Sequence, residues 1–200
     1  MRWFTGEDGT SGYYHLSGHL LDHHYTDELI KVIAVDLAAG KTEHSSFFMA
    51  LVLGLDDHGD IVVLQMVRDH LPFPDQVRAV IELHDRFLPQ AVVVENNGYQ
   101  QALVEAIPAA AARVPVVPHT TTRKKNDPME GVLMLQPLVE AGRIRFPMGD
   151  PVSQSVSEIV ISELNRLGVA AHDDTVSALW FGVARLLAEP EPEVVGGMVL

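Results

Sequence analysis

The chain reads as an α/β domain built on a mixed sheet. Three features predict this class. Three apolar runs follow one another near the start with only short connections between them. Strand and helix patterns then alternate. A strongly amphipathic helix closes the ordered part.

The elements follow in order. Residues 1–30 are rich in Gly, His and Tyr and show no clear period, so they read as a lead-in or linker. Residues 31–37 are apolar and rich in Val and Ile, a buried strand. Residues 47–55, "FFMALVLGL", form a second apolar run, and "DDHGD" at 56–60 is a turn in which Gly59 is free to take positive φ. Residues 61–68, "IVVLQMVR", return as a third strand, so the domain should open with two antiparallel connections. From Pro74 to Leu88 the apolar residues recur at helical spacing, at Val77, Val80, Ile81 and Leu83. "AVVVE" at 91–95 is short and fully apolar until its last residue, as expected of a strand covered on both faces. A helix should follow, capped by Asn96 or Asn97. "VPVVPH" at 114–119 is a fifth strand, expected to lie parallel to the fourth through a right-handed crossover. Residues 127–141 read as a helix ending at Gly142, "RIRFP" as extended chain, and 152–167 as a helix closed by Gly168. Residues 173–188 form the last helix, with Val176, Leu179, Trp180, Val183 and Leu187 on one stripe. The tail from 189 to 200 is expected to be disordered. The domain proper therefore spans 31–188.

Composition narrows the function. Of the 200 residues, 47% are hydrophobic and 20% charged, which is a globular balance with room for a real core. No apolar run reaches the roughly 20 residues that span a membrane, and no signal peptide opens the chain. The absence of cysteine excludes disulfides and thiolate metal sites. The formal net charge of −13 opposes a protein that grips a polyanion by charge alone. It speaks less against metal-dependent nucleases, whose binding sites for cations are acidic.

The stretch "VIAVDLAAGKTEHSS" at 32–46 holds two competing signals. Gly40-Lys41-Thr42 matches the end of a phosphate loop, but the position five before Gly40 is Val35, where the loop needs glycine. The chain also runs on toward another strand instead of a helix. The carboxylate signal is stronger. Asp36 ends one buried strand and Glu95 ends another, and acids at the rim of an apolar sheet are costly without a partner. If the two strands are neighbours, the acids meet, and a divalent cation would resolve their repulsion. Asp173 and Asp174 add acids at the start of the last helix, where they would also serve as caps.

In sequence order, "VIAVDLAAGKTEHSS", "AVVVENNGYQQAL", "LVEAGRIRFP" and "HDDTVSALW" resemble the nuclease domain of bacteriophage terminase large subunits, within the ribonuclease H-like superfamily. The resemblance covers about residues 31–187. It implies a mixed central sheet of five strands or more with helices on both faces, the first and fourth strands side by side. It implies a divalent-metal-dependent endodeoxyribonuclease that cleaves concatemeric viral DNA during packaging, with Mg²⁺ or Mn²⁺, two ions for preference. The ligands carried over are Asp36, Glu95 and a last-helix acid, Asp174 or Asp173, of which Asp174 is preferred. Asp173 would then cap the helix or stand behind the ligands. Two departures matter. Ser177 occupies a position where relatives often carry an acid, and Glu43 and His44 lie where another acid is common, so His44, His172 or Ser177 would assist around the ions.

The resemblance also implies partners: double-stranded DNA, an ATPase motor, a small terminase subunit and a portal, in the cytoplasm of the host and with no membrane. The chain contains no complete phosphate loop and no room for the motor, so it reads as an excised domain or a separately encoded one. Arg123, Lys124, Lys125 and Arg143, with Arg145, are the candidate phosphate contacts. Trp180 and Phe181 are expected in the core. A junction resolvase of the same superfamily, or an inert nuclease-like docking module, are the alternatives.

Overall fold

In the computed structural model, residues 2–5, 11–17, 20–37, 47–96, 101–120, 131–147, 151–166 and 174–188 are described. The central sheet has six strands in the order β8-β7-β4-β5-β6-β9. Its first strand is β4 (Ile30–Leu37), which pairs antiparallel with β5 (Phe48–Leu55), and β5 pairs antiparallel with β6 (Ile61–Asp69). On the other side β4 pairs parallel with β7 (Ala91–Glu95), and β7 pairs parallel with β8 (Val116–His119). At the far edge β9 (Ile144–Arg145) runs parallel to β6. Only β5 runs against the rest. The predicted mixed sheet, its two antiparallel connections and the parallel late pair are therefore present, and "RIRFP" adds a sixth strand.

Alternation along the strands divides the apolar side chains between two layers, because successive residues point to opposite faces. Val32 and Ala34 join Met49, Leu51, Val93 and the last helix on one face. Ile33 and Val35 join Val52, Val62, Val92 and Val94 on the other. Helix α1 (Phe73–Phe87) and helix α2 (Gln101–Ala110) cover this second face through Val80, Leu83, Leu103 and Ile107. Helices α3 (Leu135–Glu140), α4 (Pro151–Leu164) and α5 (Asp174–Leu187) cover the first through Leu135, Val160, Leu164, Leu179 and Val183. Helices thus lie on both faces.

Local chemistry explains the helix ends. Pro72 precedes α1 with an extended backbone, a proline occupies its first turn, and Asp75 complements the positive end of the helix. At its far end Leu88 closes α1 in the left-handed region, φ 49°, with its N–H donating to the His84 carbonyl at 2.8 Å. The helix expected over 127–141 is shorter. Among the described residues it is a 3-10 turn at Val132–Met134 followed by α3, and Gly142 ends it at φ 69°. Asn96, one of the two caps expected for α2, donates its N–H to the His119 carbonyl at 2.7 Å and continues the sheet; Asn97 and the residues up to 100 lie outside the described residues.

The largest departure is at the start. The region read as a lead-in or linker carries a three-stranded antiparallel sheet: β1 (Arg2–Thr5), β2 (Ser11–Ser17) and β3 (Leu20–Tyr25). The pairing places Tyr14 opposite His23 and Tyr13 opposite His24. Such a strand carries no apolar alternation, which is why a hydrophobic period did not reveal it. The tail 189–200 lies outside the described residues. No helix of the described residues is long and apolar enough to cross a membrane.

Candidate metal-dependent nuclease site

The site is assembled at the carboxyl end of the parallel strands, where an open α/β sheet leaves room for a ligand. Val35 of β4 pairs with Val94 of β7. The next residues along these two parallel strands are Asp36 and Glu95, so the two acids stand side by side on adjacent strands. Each shares its face with the residue two before it. Asp36 follows Ala34 and Glu95 follows Val93, both in the layer under α5. Both acids are buried, at 4% and 8% exposure. Two buried carboxylates at neighbouring strand ends carry the like-charge conflict inferred from the sequence.

A third strand extends this row. His119, the last residue of β8, is paired with Glu95. Its ring lies 5.2 Å from Trp180, edge to face, and 5.2 Å from Phe181, nearly parallel to it. Burial holds the imidazole below its ordinary pKa, and the neighbouring Glu95 charge pulls the other way. Its Nε2 is buried with no hydrogen-bond partner among the described residues. By sequence, residues 114–119 show only a strand, and His119 does not stand out as a site residue. The available signal was its place as the polar end of an apolar strand, in the same position as Asp36 and Glu95.

Helix α5 positions the fourth component. Trp180 and Phe181 are in the core, as expected, and meet His119 at the carboxyl rim of β8. Gly182 lies over Ala34 of β4 and Leu53 of β5, where an added Cβ would come within 2.9 Å and 2.6 Å of their side chains. The helix therefore crosses β4 in contact with the backbone. Asp174 begins it, about 12 Å before Gly182 along the axis. Ser177, one turn after Asp174, is buried at 3% exposure. Asp173, His44, His172, Arg123, Lys124 and Lys125 lie outside the described residues.

Arg143, offered as a DNA contact, stands elsewhere. With Arg145 it belongs to the opposite rim of the sheet, where β9 meets the start of β6. There the turn 56–60 holds both. Arg143 donates to the Gly59 carbonyl and faces Asp60, while Arg145 pairs with Asp60 and lies 3.8 Å from Asp56. Asp56 in turn accepts the N–H groups of His58 and Asp60, at 3.0 and 2.7 Å. Asp56, Asp57 and His58 can also bring ligand atoms within 4.8 Å of one another, but Asp56 is committed to the turn and to Arg145. This cluster closes a hairpin and is remote from Asp36 and Glu95.

The donor set at the carboxyl rim suits a hard divalent cation: two buried carboxylates supply charge and oxygen ligation. Comparisons with known proteins bear on the same region. The Terminase RNaseH-like domain family matches residues 33–184. The fold resembles the large terminase nuclease of thermophilic phage G20c, solved with bound zinc, at TM-score 0.56 and 20% identity, covering 78% of this chain and 81% of that one. It also resembles the yeast mitochondrial Holliday junction resolvase Ydc2, at TM-score 0.51 and 13% identity, covering 78% of each chain. No curated protein matches at the level of sequence. The family match spans both acid strands and α5, and the chain belongs to the Terminase RNaseH-like domain family, a nuclease of the hydrolase class with a ribonuclease H-like fold.

Proposed function

We propose that the chain is a divalent-metal-dependent endonuclease that cuts double-stranded viral DNA concatemers during packaging, with Asp36, Glu95 and Asp174 as its metal ligands. The observation that carries the reading is the side-by-side placement of Asp36 and Glu95, buried on adjacent parallel strands at the open rim.

When bound, Mg²⁺ or Mn²⁺ supplies charge neutralisation at the scissile phosphate and activation of an attacking water. The residues of this chain do the rest. Asp36, beside Glu95 at the rim, would be the ligand shared by the cations, and Glu95 would hold one of them. Asp174 would bring the other ligand from α5, and Asp173, Ser177, His44 and His172 are the candidates to assist. His119 packs the Glu95 side of the row against Trp180 and Phe181 and excludes water there. No side chain serves as a covalent nucleophile.

The partners follow from the family. Duplex DNA is the substrate, and an ATPase motor, a small terminase subunit and a portal deliver it in the cytoplasm of the host. Arg123, Lys124 and Lys125 remain candidate phosphate contacts; Arg143 does not, because its guanidinium is held at the other rim. The test is a plasmid-cleavage assay with Mn²⁺, run beside intact and four-way-junction duplexes. Nicking and linearisation of plasmid that EDTA or Asp36→Asn abolishes support the assignment. Strong preference for the junction would move the function to a resolvase, and metal-independent cutting would end the proposal.

A further inference from the structure

The acid row does not stop at Asp36. Asp36 pairs with Met49 on β5, and Met49 pairs with Arg68 on β6. Arg68 lies two residues beyond Met66, which packs in the layer under α5, so Arg68 is directed to the same face as Asp36. Two strand spacings separate Arg68 from Asp36, about 10 Å. That is the reach of about one to two phosphates along a duplex strand, since the strand winds as it rises. Arg68 is exposed, and its guanidinium is held 4.1 Å from the centre of the Phe47 ring. The exposed His70 ring packs on Phe47 as well, at 3.8 Å between centres and 34° between planes. An arginine normally loses much side-chain freedom when it grips a phosphate. Here Phe47 has already ordered it.

We propose that Arg68, positioned by Phe47 and His70, is a phosphate contact for duplex DNA, holding the backbone about one to two nucleotides from the acid site. The proposal rests on the nuclease reading above. It also answers the charge problem: with a net charge of −13, the chain needs fixed local cations where DNA meets the acidic rim. A guanidinium suits this role because its donors form a planar fork matched to phosphate oxygens, while its flat face stays on the aromatic ring.

The molecule carries its own control. Arg86 lies 5.0 Å from the Phe87 ring and donates to Gln65, but it sits at the end of α1, on the opposite face of the sheet. Binding of a fluorescent duplex to the full chain is measured in EDTA between about 50 and 200 mM salt, so that affinity and its salt dependence are read without cleavage. Plasmid cleavage with Mn²⁺ is measured on the same preparations. Arg68→Ala should weaken binding about fivefold to tenfold at the low end and reduce the salt slope by about one. Arg86→Ala should change neither. Phe47→Leu should keep the slope but lower affinity a few fold, a split that general destabilisation does not produce. If Arg68→Ala melts early, Arg68→Lys takes its place, with the slope kept and affinity reduced. Wild-type protein that cleaves, with Arg68 variants indistinguishable from Arg86→Ala, overturns this inference and leaves the nuclease reading intact. Wild-type protein that neither binds nor cleaves overturns both.

Discussion

Gly182 of α5 passes so close to Ala34 of β4 that a Cβ on the glycine would lie 2.9 Å from the alanine methyl and 2.6 Å from a methyl of Leu53. This contact seats the helix that carries Asp174 on the strand that carries Asp36. It makes two small residues on different elements a condition for the site.

Gly182→Ala sets two effects against each other. In an isolated helix alanine is better than glycine by about 1 kcal/mol. Here the added methyl meets Ala34, whose Cβ is fixed to a central strand, so overpacking should cost about 1–3 kcal/mol and reverse the sign. The variant should melt earlier and lose stabilisation by Mn²⁺, because α5 must lift from β4. A variant that melts later than wild type would show that the helix is not seated as described.

Asp36→Asn separates folding from metal binding. Removing one of two buried like charges should leave the melting temperature in EDTA unchanged or raised. Metal at 100 times its dissociation constant should stabilise wild type by about 2.7 kcal/mol. For a chain of this size that is a rise of about 5–10 °C. In Asp36→Asn the rise should vanish, together with cleavage. Calorimetric melts with and without Mn²⁺ check both, and a full metal-dependent rise in the variant would remove Asp36 from the ligand set.

A third prediction concerns pH at a place remote from the site. Arg113 makes two hydrogen bonds to Asp85, at 3.0 and 2.6 Å, and His84 contributes another contact at 3.1 Å. The Arg113 hydrogen bonds, more than His84, lower the Asp85 carboxyl from its ordinary 3.8 to about 2. A depressed folded pKa contributes stability that is present above the unfolded value and lost as pH falls through the folded one. Wild type and Arg113→Ala should therefore differ in melting temperature above about pH 4 and converge toward pH 2. The pair is exposed, so the difference should shrink with added salt. A difference that persists below pH 2 would assign the effect of Arg113 to packing.

The limits of the sequence are physical ones. Asp36 and Glu95 were legible because an acid ending an apolar strand violates the pattern of its own run, and that violation is local. The α5 stripe was legible through its helical period as far as Val183; Leu187, counted with it, is 42% exposed, and Leu186 is buried instead. His119 was not, since its role depends on being paired with Glu95 and packed against Trp180, two contacts far away along the chain. Arg143 was misplaced because "RIRFP" reads as extended without showing which end of the sheet it joins. Pairing of Ile144 with Ile61 decides that, and it sends the arginine to the rim opposite the acids. The strands of 2–25 pair Tyr with His, which no apolar period detects.

Arg143 and Arg145 supply the last prediction, which sets stability against DNA binding within one pair of residues. Asp56 is buried, and its Oδ2 makes no hydrogen bond among the described residues, where Arg145 at 3.8 Å is its compensating charge. Arg145→Leu should therefore destabilise the fold by about 3 kcal/mol, as expected when one partner of a buried pair is removed. Arg143 is more exposed and donates to a turn carbonyl, so Arg143→Ala should cost no more than about 1 kcal/mol. Neither change should alter the salt slope of DNA binding, because both side chains serve the turn 56–60 at the far rim of the sheet. Urea unfolding measures the first pair of effects and duplex titration across salt the second. A slope reduced by about one in Arg143→Ala would mean that DNA wraps to the far end of the sheet, and that the guanidinium leaves Gly59 and Asp60 to meet it.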